Sequence, residues 1–458
     1  MKYLLFAITL FTAQTVYGQN YSDVAGEWTG SIEINGQNLT TEFTFSYQDG
    51  ELDGTIDIPQ QMAFNMPIEF TKAEGDSLIF QFQTGTGVAV FRGIWENSES
   101  TISGMFEQMN TSYPFSIEKK DDTLADEGGT SNGTDIAIQT RAGQVSGTLL
   151  MADEPAPLVI LLTGSGSQDR DETVAGFKIF GQLADSLYEY GYSSFRYDDR
   201  GVGRSTGETD ATIYDLAQDL EDIVLHLQEE YGSSISKTVL LGHSQGGLVA
   251  AISSDEISID GIVFMGAPFL PGDEIINNQI KSISEAQGIE DEIVEQNLEF
   301  QQRIYEVVRN EDDWGEIEQD LYDRLEEQIN ELPEQQREAL GDMDSFIRSQ
   351  INRQLAAAKT VWFKSFIEYD PQSDISDLGI PMLAIFGEMD SQVIAEPNRA
   401  KAESLKEDSD LNLTIVEIES ANHLFQQSNT GLPSEYGMLE KRFADGFVEE
   451  IVEWLRSL

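Results

Sequence analysis

Hydrophobic and polar positions change rhythm twice along the chain. Between Ala25 and Glu118, short runs at 27–34, 41–45, 77–82 and 89–93 alternate with period two and are punctuated by Gly36, Asp49-Gly50 and Glu74-Gly75. Successive strand residues face opposite ways, so this spacing predicts a small antiparallel β domain, barrel or sandwich, over residues 19–118. Its alternating aromatics, Phe43, Phe45, Phe80 and Phe82, read as core rather than as a ligand platform. Residues 119–134 are polar, glycine-containing and aperiodic, the pattern of a flexible linker.

From Asp135 the rhythm becomes an alternation of strand and helix. An opening hairpin is expected at 136–138 and 147–150, and the unbroken apolar run 157–162 marks a central strand covered on both faces. Helical spacing of Phe180, Leu183, Ala184 and Leu187 precedes a strand at 193–197, and Leu216, Leu220, Ile223 and Leu227 line one face of a second helix. Further strands follow at 239–241, 262–265, 381–386 and 413–418. The pattern is that of a doubly wound, mostly parallel α/β sheet. Between about 271 and 370 the strands stop, and amphipathic helical patterns at 293–308, 317–329 and 346–358 replace them. Inserted between two sheet strands, such helices would sit over the strand ends as a cap. The expected domains are therefore 19–118, the linker 119–134, and 135–458 with its cap at about 271–370.

Composition narrows the picture. The chain carries 82 acidic against 27 basic residues, a formal net charge of −55, so nucleic acid and anionic membrane surfaces are excluded as partners. The acids are spread along the whole sequence, which suits a solvated surface working in salty water better than one basic partner. Met1-Lys2, the apolar run 4–10 and the small residues Val16 and Gly18 read as a secretory signal over 1–18, giving a periplasmic or extracellular product. No later stretch is apolar enough to cross a membrane. With no cysteine, a thiol nucleophile, a disulfide framework and a Cys-based metal site are excluded. No cluster with metal-ligand spacing stands out, and neither a metal nor an organic cofactor is implied.

The chemistry concentrates at 242–246, Gly-His-Ser-Gln-Gly, between the strand at 239–241 and a run of small residues. In a strand–turn–helix setting G-x-S-x-G is a nucleophile elbow, with Ser244 as nucleophile. A serine hydroxyl needs an adjacent base, and the chain has three histidines. His243 lies inside the elbow and is expected to point away from the reaction, and His226 falls off the apolar face of its helix. His423, on a loop beyond the last strand, is left as the base. An acid must orient it. Asp390, in the loop after the penultimate strand, suits this, with Glu388 as the rival. The order Ser244, Asp390, His423 is that expected of an α/β-hydrolase. Backbone donors for an oxyanion are expected at Gln245, directly after the nucleophile, and at Ser165 in the Gly-Ser loop after the strand at 157–162. That loop lacks the Lys-Ser/Thr ending of a phosphate-binding loop.

Together, Gly-Ser-Gly-Ser-Gln-Asp-Arg-Asp-Glu at 164–172, Phe-Arg-Tyr-Asp-Asp-Arg-Gly-Val-Gly-Arg-Ser at 195–205, the elbow and the Asp390 loop resemble bacterial α/β-hydrolases of the EstD-like esterase group. The resemblance covers Asp135 to the C-terminus. Proline is usual in that group where this chain has Ser167, which loosens the Ser165 assignment. The resemblance implies the same triad and hydrolysis of small carboxylic esters with short acyl chains. It also implies that Asp169, Arg170, Asp199 and Arg200 brace the loops around the site. Trp362 and Phe363, with Phe366, are candidates to line an acyl pocket where the cap returns to the sheet. A peptidase, acyltransferase or thioesterase with the same triad, and a binding protein acting through the β domain, remain as alternative readings. Oligomeric state is not legible.

Overall fold

A computed structural model describes residues 21, 23–34, 37–48, 51–58, 63–84, 87–96, 100–108, 111–119, 133–254, 256–286, 288–330, 337 and 343–458. The expected signal segment and residues 120–132 of the expected linker lie outside these. The described chain divides into two compact units, residues 1–127 with 314–356, and residues 128–313 with 357–458.

In the first unit eight strands, β1 (Gly26–Ile34), β2 (Gln37–Gln48), β3 (Glu51–Ile58), β4 (Ala63–Glu74), β5 (Ser77–Thr84), β6 (Gly87–Glu96), β7 (Thr101–Gln108) and β8 (Thr111–Lys119), pair in sequence order. β1 also pairs with β8, Ile32 opposite Phe115, which closes the meander into a barrel and leaves no sandwich. Eight strands enclose an interior that side chains can fill. Here it is filled by aromatics: Phe80 stacks on Phe91 at 4.9 Å, and Phe43 meets Phe80 edge-on at 5.7 Å. Phe43, Phe45, Phe80 and Phe82 are all buried. The segment from Trp314 to Ala356 groups with this unit, so the helical insertion is divided between the two units.

The second unit is the doubly wound sheet expected from the sequence. A hairpin of β9 (Thr134–Gln139) and β10 (Gln144–Leu150) leads to β11 (Ala156–Leu162). A two-residue pair, β12 (Thr173–Val174) and β13 (Phe177–Lys178), precedes helix α1 (Ile179–Glu189). β14 (Ser193–Tyr197), α2 (Ile213–Tyr231), β15 (Ile235–His243), α3 (Gln245–Ser253) and β16 (Gly261–Met265) follow. The strands stand in the order β18-β17-β16-β15-β11-β14-β10-β9, where β17 is Met382–Gly387 and β18 is Leu413–Ile418. Every pairing from β14 to β18 is parallel, and the β9–β10 and β10–β14 pairings are antiparallel. Apolar side chains of β11 and β15 alternate between the two faces: Leu158, Ile160 and Leu240 pack into the cluster that includes α2, and Val159, Leu161, Val239 and Leu241 into the cluster that includes α1. This two-sided burial is why these strands read as continuous apolar runs.

The insertion supplies α4 (Gly272–Ala286), α5 (Asp291–Asn310), α6 (Gly315–Asn330), α7 (Met343–Leu355) and α8 (Val361–Glu368). A short α9 (Gln372–Asp377) leads back to β17, and α10 (Ala395–Asp408) and α11 (Phe447–Ser457) complete the unit. Thr360 caps α8 by accepting from the Phe363 N–H. Asp210 accepts from the Val361 and Trp362 N–H groups, and the Ile213 N–H donates to the Ser365 hydroxyl at 3.1 Å. These bonds fasten α8 to the start of α2.

Candidate active site

The site is assembled at the C-terminal ends of the parallel strands. β15 ends at His243 and α3 begins at Gln245, leaving Ser244 alone between them with φ 52° and ψ −121°. A non-glycine residue rarely adopts a positive φ, so the turn is strained and the surrounding fold must hold it. The flanking glycines explain how the turn is possible. A Cβ at Gly242 would lie 2.2 Å from the Gly246 backbone, and one at Gly246 would lie 2.2 Å from the Leu162 carbonyl. The Ser244 N–H donates to the Met265 carbonyl at 2.9 Å, which ties the elbow to β16.

His423 lies in the loop after β18 and Asp390 in the loop after β17. Asp390 Oδ2 is 2.7 Å from His423 Nδ1, and both side chains are almost wholly buried. The second oxygen, Asp390 Oδ1, accepts from the Gln392 and Val393 N–H groups at 2.8 and 2.9 Å. Three bonds thus fix the carboxylate, which sets the imidazole with Nδ1 toward the acid and Nε2 free for another partner. The rival Glu388 is exposed and accepts from the Ser420 N–H at 2.8 Å, bracing the turn that leads to His423. Gly266, directly after β16, lies against both groups: a Cβ there would be 3.5 Å from His423 Nδ1 and 3.7 Å from Asp390 Oδ2. Elbow and acid–base pair therefore flank the same strand end.

The loop after β11 passes over the elbow, since a Cβ at Gly164 would lie 3.4 Å from Ser244 Cβ. The Gly164 N–H is taken by Glu172 Oε1 at 2.7 Å. Ser165 is exposed, and its N–H has no partner among the described residues. Gln245, as the first residue of α3, has an N–H with no carbonyl a turn earlier in the helix. The expected oxyanion donors are thus both uncommitted.

The charged loop residues are interlocked. Arg170 binds Asp198 through Nε and Nη2 and reaches Asp135, Thr148 and Ser146. Asp169 Oδ1 accepts from the Asp171 N–H, and Arg200 pairs with Asp219 at 2.7 Å. Asp199 accepts from the Thr163 hydroxyl and the Gln168 N–H, one on each side of the Gly-Ser loop. Burial pushes the Asp199 carboxyl up to about 7, against the pull of those two bonds. A cavity of about 20 Å³ lies under the loop, lined by Thr163, Gly164, Asp199, Asp219 and Gln245 among others. That is room for one water rather than for an acyl chain.

Trp362 of α8 donates its indole N–H to Gln245 Oε1 and stacks on Phe366 at 5.4 Å. The cap thereby touches the residue that follows the nucleophile. Phe363, expected beside Trp362 at an acyl pocket, is instead buried against Tyr305 of α5 at 6.2 Å and belongs to the packing of the cap. Successive helix residues point about 100° apart, so the two side chains face different neighbours. His226 is half-buried on α2. Two further site residues emerge only in three dimensions. His243 is buried with Nδ1 2.7 Å from Glu172 Oε1 and Nε2 3.0 Å from the His423 carbonyl. Both stood within motifs visible in the sequence, the elbow and the end of the 164–172 loop, but neither motif reveals that they meet. Among the described residues no group of acidic or histidine side chains could hold a metal ion.

The strand order, the elbow and the loops that carry Asp390 and His423 are those of the α/β-hydrolase fold. The family described as Hydrolase_4, serine aminopeptidase, S33, matches residues 176–320. Esterase EstD of Thermotoga maritima is 26% identical over 362 residues, covering 78% of this chain and 74% of that protein. Among solved structures, the Pyrococcus furiosus esterase Pf2001 covers 74% of this chain and 94% of its own at 14% identity and a TM-score of 0.43. A thermophilic esterase from Thermogutta terrifontis covers 71% of this chain and 98% of its own at 21% identity and a TM-score of 0.39.

Proposed function

We propose that the chain is an exported serine esterase that hydrolyses small carboxylic esters through an acyl-enzyme. The observation that carries this reading is the buried Asp390–His423 pair at 2.7 Å beside an elbow whose serine holds a φ of 52°. In the first half-reaction Ser244 Oγ attacks the ester carbonyl while His423 Nε2 takes its proton. Asp390 keeps Nδ1 protonated and stabilises the imidazolium that forms. The Gln245 and Ser165 N–H groups bind the oxyanion, and His423 returns the proton to the leaving alcohol. Water, deprotonated by the same imidazole, then attacks the acyl-enzyme and releases the acid. The likeness to esterase EstD supports an ester as substrate; the preference for short acyl chains is part of the proposal.

Ser244→Ala is expected to lower p-nitrophenyl acetate turnover about 10⁴-fold or more. Asp390→Asn should approach that loss while Glu388→Gln stays within a few-fold. A Ser244→Ala protein that keeps most of its activity would overturn the mechanism. The match to a serine aminopeptidase family favours one second reading, cleavage of aminoacyl amides by the same triad. Aminoacyl p-nitroanilides assayed beside the esters decide between them, and preference for the amides would establish the second. Export is read from residues 1–18 alone. N-terminal sequencing of protein recovered from the periplasm or medium of a Gram-negative host is expected to begin near Gln19, and an intact Met1 would refute it.

A further inference from the structure

Behind the elbow lies a second carboxylate–imidazole pair that the proposed reaction does not use. Its imidazole, His243, is 2% exposed and its carboxylate, Glu172, is 1% exposed. Nε2 of His243 faces the His423 carbonyl at 3.0 Å, and a carbonyl can only accept, so Nε2 carries a proton. Nδ1 faces Glu172 Oε1 at 2.7 Å, and that oxygen also accepts the Gly164 N–H at 2.7 Å. A protonated Glu172 serves this arrangement poorly. A hydroxyl on Oε1 would be a weak acceptor for Gly164, and a hydroxyl on Oε2 would be buried with no partner among the described residues. An ionised Glu172 with both ring nitrogens of His243 donating satisfies the bonds at Oε1, Nδ1 and Nε2, and leaves only Oε2 without a partner among the described residues.

The groups facing His243 are Glu172 from the loop after β11, Asp390 from the loop after β17, and His423 from the loop after β18. Burial alone would discharge His243. The charge and hydrogen bond of Glu172, the His423 carbonyl and the charge of Asp390 outweigh it, and the imidazole is held above its ordinary value.

We infer that Glu172 and His243 form a resident ion pair that positions the catalytic apparatus and tunes its base. This rests on the reading of Ser244 and His423 given above. Through the His423 carbonyl the pair fixes the loop that carries the base. Through the Gly164 N–H it fixes the loop that carries the Ser165 oxyanion donor. One buried unit thereby sets the distance between the two halves of the machinery. The His243 and His423 rings are 4.7 Å apart between centroids, so the positive charge on His243 opposes protonation of His423 in the free enzyme. Glu172 behind His243 offsets part of that effect.

Two measurements on the full-length protein test this. With three histidines in the chain, ¹⁵N-histidine labelling gives few ring signals. At pH 8 one ring is expected to show both nitrogens protonated, and its signals should vanish in His243→Gln. In parallel, the acid limb of kcat/KM for p-nitrophenyl acetate should move up in His243→Gln, and by less in Glu172→Gln, where the buried His243 loses its proton along with its partner, in variants whose circular dichroism matches the parent. A loss of rate without movement of the limb would reduce the pair to packing and overturn the tuning role. A singly protonated His243 ring at pH 8 in the unmutated protein would overturn the ion pair, even where neither variant folds. If Ser244→Ala retains activity, the proposed esterase mechanism fails, and the ring protonation still judges the pair independently.

Discussion

Asp199 shows how one side chain can couple the site to pH. Its carboxyl sits near 7 in the folded protein, against about 4 in an unfolded chain. A raised acid favours the fold while protonated. That stabilisation is complete below about pH 4 and is lost as pH rises through 7. Asp199 is partly open to solvent, which tempers the size of the effect but not its sign. Asp199→Asn is therefore expected to raise the urea midpoint relative to the parent at pH 8 and to leave it nearly unchanged at pH 4. Equal midpoint differences at both values would refute the assignment. At this scale the pairing of Asp390 with His423 was legible because chemistry restricted the choice: three histidines, one elbow and two acids after one strand. The pairing of Glu172 with His243 was not legible. It depends on a turn in which Glu172 takes φ 47° and on the register that sets β11 beside β15, and neither has a local sequence signal.

Among the elements, the strands β14 and β18 begin and end where they were expected, and α1 and α2 follow their periodic faces. Buried strands and amphipathic helices advertise themselves through what they must hide. The insertion is different. Its helices were visible from spacing, but an apolar stripe does not say which surface covers it, and so the division of 314–356 from the rest could not be read. The helix that bears on function is α8. Trp362→Phe keeps the stacking surface toward Phe366 and removes the indole donor to Gln245, whose backbone N–H is a proposed oxyanion donor. The expected result is a fall in kcat of about 2- to 10-fold, the range of one hydrogen bond, with the melting temperature little changed. Steady-state kinetics on an ester series checks it, and an effect confined to KM for long acyl chains would assign Trp362 to the acyl pocket instead.

For the whole molecule, the governing quantity is a net charge of −55. Like charges on a compact body repel, and dissolved salt shortens the range of that repulsion from about 30 Å at 0.01 M to about 3 Å at 1 M. Melting temperature and esterase activity are both expected to climb with sodium chloride toward molar concentration. A flat or falling melting curve would show that the acids are offset locally, as Arg170 and Arg200 offset theirs.

The strand order carries a kinetic corollary. His243 and His423, whose contact joins the two loops, stand 180 positions apart, and the strand that delivers His423 is the last of the sheet. Contacts of such long range form late, after shorter loops have closed. A folding intermediate holding β11, β14 and β15 would already present the bent serine, but with no base to activate it. Such a species would lack the Asp390–His423 pair until β18 pairs with β17.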